Sequence, residues 1–288
     1  MTIPESELIL NPDGTIYHLK VSPENIADHI ILVGDPHRVE MIAAFFDSVE
    51  FKGQNREIVT CTGLYKGKRI TAMSTGMGTD NIDIVLNELD ALVNIDLKTR
   101  TIKENKKSLK IFRLGTSGGL QPELPLNSVI VSNYGLGFDG LIHYYQNCHS
   151  VIEEKLTHTF IKYFNWKEPL PKPYGISASD ELIDLFKNEK VFNGITATAP
   201  GFYGPQGRQL RLDLAYPDFN NKLKHFAFDN YKILNFEMET SALYALGKML
   251  GHQTLTLCVA IANRDHKGFS KGYKEAMQDL IALVLSKI

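Results

Sequence analysis

Lys110-Ile111-Phe112-Arg113-Leu114-Gly115-Thr116-Ser117-Gly118-Gly119 is a short apolar run that ends in glycines. An apolar run bounded by turn residues reads as a strand buried on both faces. Residues 110–114 are therefore expected to form a central strand, with 115–119 as a turn at its carboxyl end. The same grammar recurs on both sides of it. Strands expected over 29–33, 69–75, 233–236 and 254–262 are followed by Gly34-Asp35-Pro36-His37-Arg38, Gly76-Met77-Gly78, Glu237-Met238-Glu239 and Asn263-Arg264-Asp265. Further strands are expected over 58–62, 129–133 and 195–198. Helical spacing marks 39–46, 81–93, 151–164, 180–188, 238–250 and 273–288, with Asp80 as the N-cap of the second and Gly251 closing the fifth. This alternation predicts one three-layer α/β domain over residues 1–288.

The bulk numbers narrow the class. With 31 basic and 33 acidic residues, the formal charge of −2 gives no global field for nucleic acid or an anionic membrane. Any bound anion must be held by a few placed cations. No run of eighteen apolar residues exists, so no membrane span is expected. The first ten residues carry two glutamates and no basic segment, which does not fit a signal peptide. Cys61, Cys148 and Cys258 are scattered and odd in number, as expected of reduced thiols in a cytoplasm. The basic stretch 98–110 has no aromatics and reads as an exposed linker. No metal is expected, because the histidines are dispersed and HExxH and CxxC are absent.

Ligands of an α/β sheet gather at the carboxyl ends of its strands. Three glycine-bearing turns and two charged ones are expected at one such edge. They are neither a Walker A loop nor a dinucleotide fingerprint. Glycines still let backbone N–H groups approach an anion, and Arg38, Arg113 and Thr116 add charged and hydroxyl donors. Together these make a phosphate-sized cradle. Residues 115–119 also fit G-x-S-x-G, but that nucleophile elbow needs a helix after Ser117, and Pro122 and Pro125 oppose one. Glu237 and Glu239 lie two apart, so they share a side if the strand persists, and they could accept from sugar hydroxyls. The same acids would also suit a helix N-terminus. The loop Phe202-Tyr203-Gly204-Pro205-Gln206-Gly207-Arg208 offers an aromatic face, an amide and a guanidinium, which is what a nucleobase needs. It could equally be a surface turn.

Taken together, the segments 34–38, 74–78, 112–118, 202–208, 235–239 and 261–264, in this order, resemble the nucleoside phosphorylase superfamily and within it the uridine phosphorylases. The likeness runs from about residue 17 to the last helix. It implies a mixed central β-sheet flanked by helices, and phosphorolysis of uridine to uracil and ribose 1-phosphate. It implies that Gly34, Arg38, Arg113 and Thr116 hold phosphate, joined by Arg56 of a neighbouring subunit. His18 of that neighbour would join Met238 and Glu239 at the ribose. Phe202, Gln206, Arg208, Ile261 and Arg264 would surround the base, with Gln206 and Arg208 marking a pyrimidine rather than a purine. Arg113, Glu239, Gln206 and Arg208 would carry catalysis. Inorganic phosphate is then a co-substrate, and a homodimer is the smallest active unit, with a hexamer common in relatives. The alternatives are a phosphorylase or nucleosidase for another nucleoside, or a non-catalytic nucleoside-binding protein.

Two departures from the bacterial pattern stand out. Thr79-Asp80-Asn81 replaces a Gly-Pro-Ser run whose serine helps some relatives bind a monovalent cation. Asn81 and Glu57 would be the corresponding partners here. The 98–110 stretch is also longer than in many relatives.

Overall fold

The apolar runs fold where the sequence places them, in a computed structural model that describes residues 2–265 and 267–288. β1 (His29–Val33) leads into α1 (Pro36–Ala43), β2 (Ser48–Asn55), β3 (Ile58–Tyr65), β4 (Lys68–Ser74) and α2 (Thr79–Asn94). A small ribbon of β5 (Ile95–Asp96) and β6 (Thr101–Ile102) precedes β7 (Lys110–Gly119) and β8 (Val129–Gly137). Then come α3 (Glu154–Phe164), β9 (Tyr174–Ser177), α4 (Asp180–Asp184), β10 (Phe192–Thr198), α5 (Phe219–His225) and β11 (Ala227–Phe228). β12 (Tyr231–Glu237), α6 (Thr240–Leu250), β13 (Gln253–Asn263), β14 (Gly268–Phe269) and α7 (Tyr273–Lys287) complete the order.

β4, β1, β7 and β13 lie side by side and parallel, so their carboxyl ends share one edge. β3 and β2 extend this sheet in antiparallel fashion. On the other side β8 runs antiparallel to β13, and β10 and β12 follow parallel to β8. β12 then pairs back onto the end of β7, with Asn235 opposite Gly119 and Phe236 opposite Gly118. Five strands therefore close on themselves within a mixed sheet flanked by helices. The strands of the parallel centre are fully buried: Ile31, Leu32, Phe112, Leu114, Leu255 and Leu257 are inaccessible or nearly so. Each such side chain contributes roughly 1.5–3 kcal/mol of burial free energy.

The structure corrects several local expectations. Residues 115–119 are strand, not turn, because the ladder to β13 continues through Gly119 with one irregularity between Ala260 and Ala262. Crowding explains the glycine at 119: a Cβ there would lie 3.0 Å from Leu124 and 3.3 Å from the Ala262 carbonyl. α1 begins at Pro36, capped by the Asp35 side chain, which accepts from the His37 N–H at 3.0 Å. Proline is tolerated in a first turn, where its missing N–H has no partner to lose. Arg38 thus sits on a helix rather than in a loop. α2 is capped at Gly78, with φ +101°, and Asp80 lies inside its first turn. Gly251, with φ +81°, does close α6 as expected. β2 escaped the sequence reading because it is a half-exposed edge strand rich in Glu, Lys and Gln. The basic segment is exposed over 102–108 and anchored by buried Leu109 and by Lys107–Asp28 and Lys110–Glu181 ion pairs. Among the described residues no helix is long and apolar enough to cross a membrane.

Candidate active site

β7 sets out the site along its length. Arg113 is a buried charge on a central strand, which is costly unless paired. Its Nη2 donates to Glu239 Oε2, and its Nη1 lies 3.2 Å from Glu237 Oε2. Both carboxylates are themselves buried. Burial works against the Arg113 charge, but Glu239 and Glu237 more than offset it and hold the guanidinium above its ordinary pKa. Burial pushes the Glu237 carboxyl up, with Arg113 opposing. The side chain of Arg113 folds forward over residue 115, where a Cβ would collide with Nη1 and lie 3.0 Å from Cys258 Sγ. Only glycine fits there. Arg113 Nη1 also faces that thiol at 3.7 Å, and Arg113 Nε is buried without a partner among the described residues.

Three residues further on, Thr116 accepts from Arg38 Nη2 at 3.4 Å. The Gly34 turn touches the Gly76 turn, since a Cβ on Gly34 would be 3.3 Å from the Gly76 carbonyl. The Gly78 N–H, however, is not free for an anion. It donates to Glu239 Oε1 at 2.8 Å. Of the three glycine-bearing turns expected, 115–119 is strand, the Gly34 turn leads into the helix that carries Arg38, and the 76–78 turn abuts Gly34 and braces the Glu239 carboxylate through the Gly78 N–H.

At the end of β7, a Cβ added to Gly118 would meet Arg208 and Arg264 at ordinary van der Waals distance. Gln206 is buried, and its Oε1 accepts from Arg208 Nη1 and from Arg264 Nη2, the latter at 3.3 Å. Arg264 also donates to the Gln206 carbonyl. This network fixes the amide with Nε2 as the group left for a ligand. The Phe202 ring lies against the Arg208 guanidinium, 3.7 Å from centroid to carbon. Burial pushes the Arg264 guanidinium down to about 10, with the nearby Arg208 charge adding to the shift. Among the described residues neither arginine is in an ion pair with a carboxylate.

One cavity of about 700 Å³ unites these parts, with Arg38, Thr116, Glu239, Met238, Gln206 and Arg208 all on its wall. Gly34, Arg113, Phe202 and Ile261 line it too, while Arg264 stands behind Gln206. His18 and Arg56 do not line it. His18 Nδ1 pairs with Glu88 at 2.6 Å, and Asn55 donates to the His18 carbonyl at 2.8 Å. Arg56 is exposed at the β2–β3 turn. Asn81 Nδ2 donates to the Thr75 carbonyl at 2.8 Å and to Glu57 at 3.3 Å, so the two side chains meet through the amide N–H group rather than the amide oxygen. Ser117 lies inside a strand with no helix after it, which removes the nucleophile-elbow geometry. Of the two roles expected for Glu237, the helix N-terminal one holds, since its Oε2 accepts from the N–H groups of Glu239 and Thr240, whereas its pairing with Arg113 was not foreseen. The period-two spacing of 237 and 239 was its signal, although the strand ends at Glu237 and Glu239 begins the turn into α6.

The sequence pattern of the phosphorylase superfamily matches residues 28–288, and the chain belongs to that superfamily. Among relatives, a uridine phosphorylase of Thermococcus kodakarensis is 29% identical over 267 residues, covering 92% of this chain and 83% of that protein. A DeoD-type purine nucleoside phosphorylase of Alkaliphilus metalliredigens is 29% identical over 249 residues, covering 83% and 84%. Among solved structures, a Trypanosoma brucei nucleoside phosphorylase that shows uridine phosphorylase activity superposes with a TM-score of 0.86 at 30% identity. That match covers 97% of this chain and 98% of the other.

Proposed function

We propose that the chain catalyses phosphorolysis of uridine, releasing uracil and ribose 1-phosphate. The observation that carries this reading is the single cavity in which an arginine–hydroxyl pair, a buried carboxylate and a Gln–Arg pair follow one another beside a single strand. The relatives that act on uridine support the base, and the phosphorylase superfamily supports the co-substrate.

Gly34, Arg38, Thr116 and the remaining N–H of Arg113 hold phosphate, with Arg56 of a second copy. Glu239 and Met238 hold the ribose, with His18 of that copy. Phosphate attacks C1′ as the C1′–N1 bond breaks through an oxocarbenium-like sugar, and the bonding pair leaves with uracil. Arg38 and Arg113 orient the attacking oxyanion and lower its cost. Gln206 Nε2 and the Arg208 guanidinium meet the base as it gains charge, with Arg264 holding Gln206 from behind, and such bonds strengthen toward the transition state. Phe202 and Ile261 supply apolar walls. No covalent enzyme intermediate and no cofactor beyond phosphate is required. A monovalent cation beside Glu57 and Asn81, a cytoplasmic location and a homodimer or hexamer complete the proposal, with residues 1–288 acting as one domain.

The purine phosphorylase relatives favour a second reading, in which the base is a purine. A nucleoside panel with and without phosphate separates the two, scored by ribose 1-phosphate. Phosphate-dependent cleavage of uridine well above inosine and adenosine is expected. Cleavage without phosphate, or a purine preference, would overturn the proposal.

A further inference from the structure

α6 starts without the cap its own sequence position would supply. Its N-cap residue is Glu239, whose side chain makes no bond to the open N–H groups of the first turn. That carboxylate turns instead to Arg113 and to the Gly78 N–H. The first N–H groups of a helix have no intrahelical acceptor, and burying them bare costs free energy.

Two other residues fill the gap. Glu237 Oε2 accepts from the N–H groups of Glu239 and Thr240, each at 2.9 Å. Thr198 Oγ1, at the end of β10, accepts from the Ser241 N–H at 3.0 Å and donates to Glu237 Oε1 at 2.7 Å. Thr198 is inaccessible and Glu237 nearly so. The helix start is pressed onto β8, where a Cβ on Gly135 would meet Ser241 Cα at 3.1 Å. The first turn therefore has little freedom to find other acceptors.

We infer that Thr198 is a positioning residue: with Glu237 it caps α6 in place of Glu239, and this releases the Glu239 carboxylate into the cavity for the sugar. The inference rests on the reading of Glu239 as the ribose-binding group. Thr198→Val keeps the side-chain shape and removes both hydrogen bonds. In this variant, amide exchange at Thr240 and Ser241 should accelerate roughly tenfold, as for other lost caps, while Leu250 and Gly251 at the far end stay unchanged. kcat/KM should fall roughly tenfold on uridine but less than about threefold on 2′-deoxyuridine, because a misplaced Glu239 costs most where the 2′-hydroxyl it would hold is present. Thr198→Ser should restore both readouts. Unchanged exchange at 240–241, equal losses on the two sugars, or no rescue by serine would overturn the inference. If the wild-type chain cleaves no nucleoside, the proposed function fails, and the exchange measurement still decides the capping role.

Discussion

Replacing Arg113 by methionine tests the centre of the site most directly. The side chain fills similar space but removes the one cation between two buried carboxylates. Arg113, Glu237 and Glu239 are each only 4% exposed, so solvent cannot screen what is left. Breaking a buried pair by deleting one partner costs about 3–5 kcal/mol. For a chain of this length that is about 5–8 °C in Tm. The loss must depend on pH in a definite direction. Without the cation, nothing opposes the burial that pushes the Glu237 carboxyl above its unfolded value. A carboxyl raised in the folded state destabilises little below its unfolded pKa, and the penalty grows as pH rises through the folded one. The Tm deficit should therefore be large near pH 8 and clearly smaller near pH 5.5, measured by calorimetry against wild type at each pH. Phosphorolysis should fall in parallel, by roughly 10²-fold or more in kcat/KM, since a preorganised charge donor is worth about 3 kcal/mol. A deficit under about 1 kcal/mol, or one equal at both pH values, would refute the charge-cluster argument.

Gly115→Ala should cost about 1–3 kcal/mol by overpacking and lower kcat/KM, because the new methyl occupies the place of the Arg113 guanidinium. Wild-type Tm and activity would mean that Arg113 does not lie over residue 115. Glu239→Ala should cost about 1.5–3 kcal/mol on nucleoside kcat/KM while leaving phosphate binding by calorimetry nearly intact, and equal losses of both would make Glu239 purely structural. Burial pushes the Cys258 thiol up to about 12, with Arg113 opposing, so it stays protonated and slow toward iodoacetamide at pH 8. Mass spectrometry should find half-buried Cys148 labelled first in the native protein, and labelling of Cys258 at a matching rate would contradict its burial.

Much of this was legible because strand and turn chemistry are local. The apolar runs at 29–33 and 110–114 announced buried strands, and Gly251 announced a helix end. What the sequence hid depends on neighbours distant in the chain. Gly115 and Gly119 look like parts of a turn, but they are glycines because the Arg113 guanidinium crowds the one and Leu124 and the Ala262 carbonyl crowd the other. The closure of β12 onto β7 has no local signal, yet it carries Glu237 and Glu239 to Arg113. Residues 34–38 follow an apolar run and open on a glycine, which locally resembles a turn, whereas Pro36 in a first turn begins a helix. The grouping of Gln206 with Arg208 was visible in the spacing. Their shared hold on one amide oxygen with Arg264 was not.

The charge count on the cavity wall has a further consequence for assembly. Its arginines are Arg38, Arg113 and Arg208, and its acids are Asp35, Glu57, Glu237 and Glu239. Arg113 is already shared by two carboxylates, and Arg208 belongs to the base end. One chain therefore offers an incoming phosphate dianion little net positive charge beyond Arg38, and the proposed Arg56 of a second copy makes up the deficit. Complementation tests this. Arg38→Ala and Arg56→Ala should each be nearly inactive alone. After the two are unfolded and refolded together, a mixed dimer regains one site built from the intact Arg38 of one copy and the intact Arg56 of the other. Random pairing should return about a quarter of wild-type activity, since half the dimers are mixed and each holds one good site of two. If the mixture stays as inactive as its components, Arg56 does not act across an interface, and the positive charge that phosphate needs must come from elsewhere in the same chain.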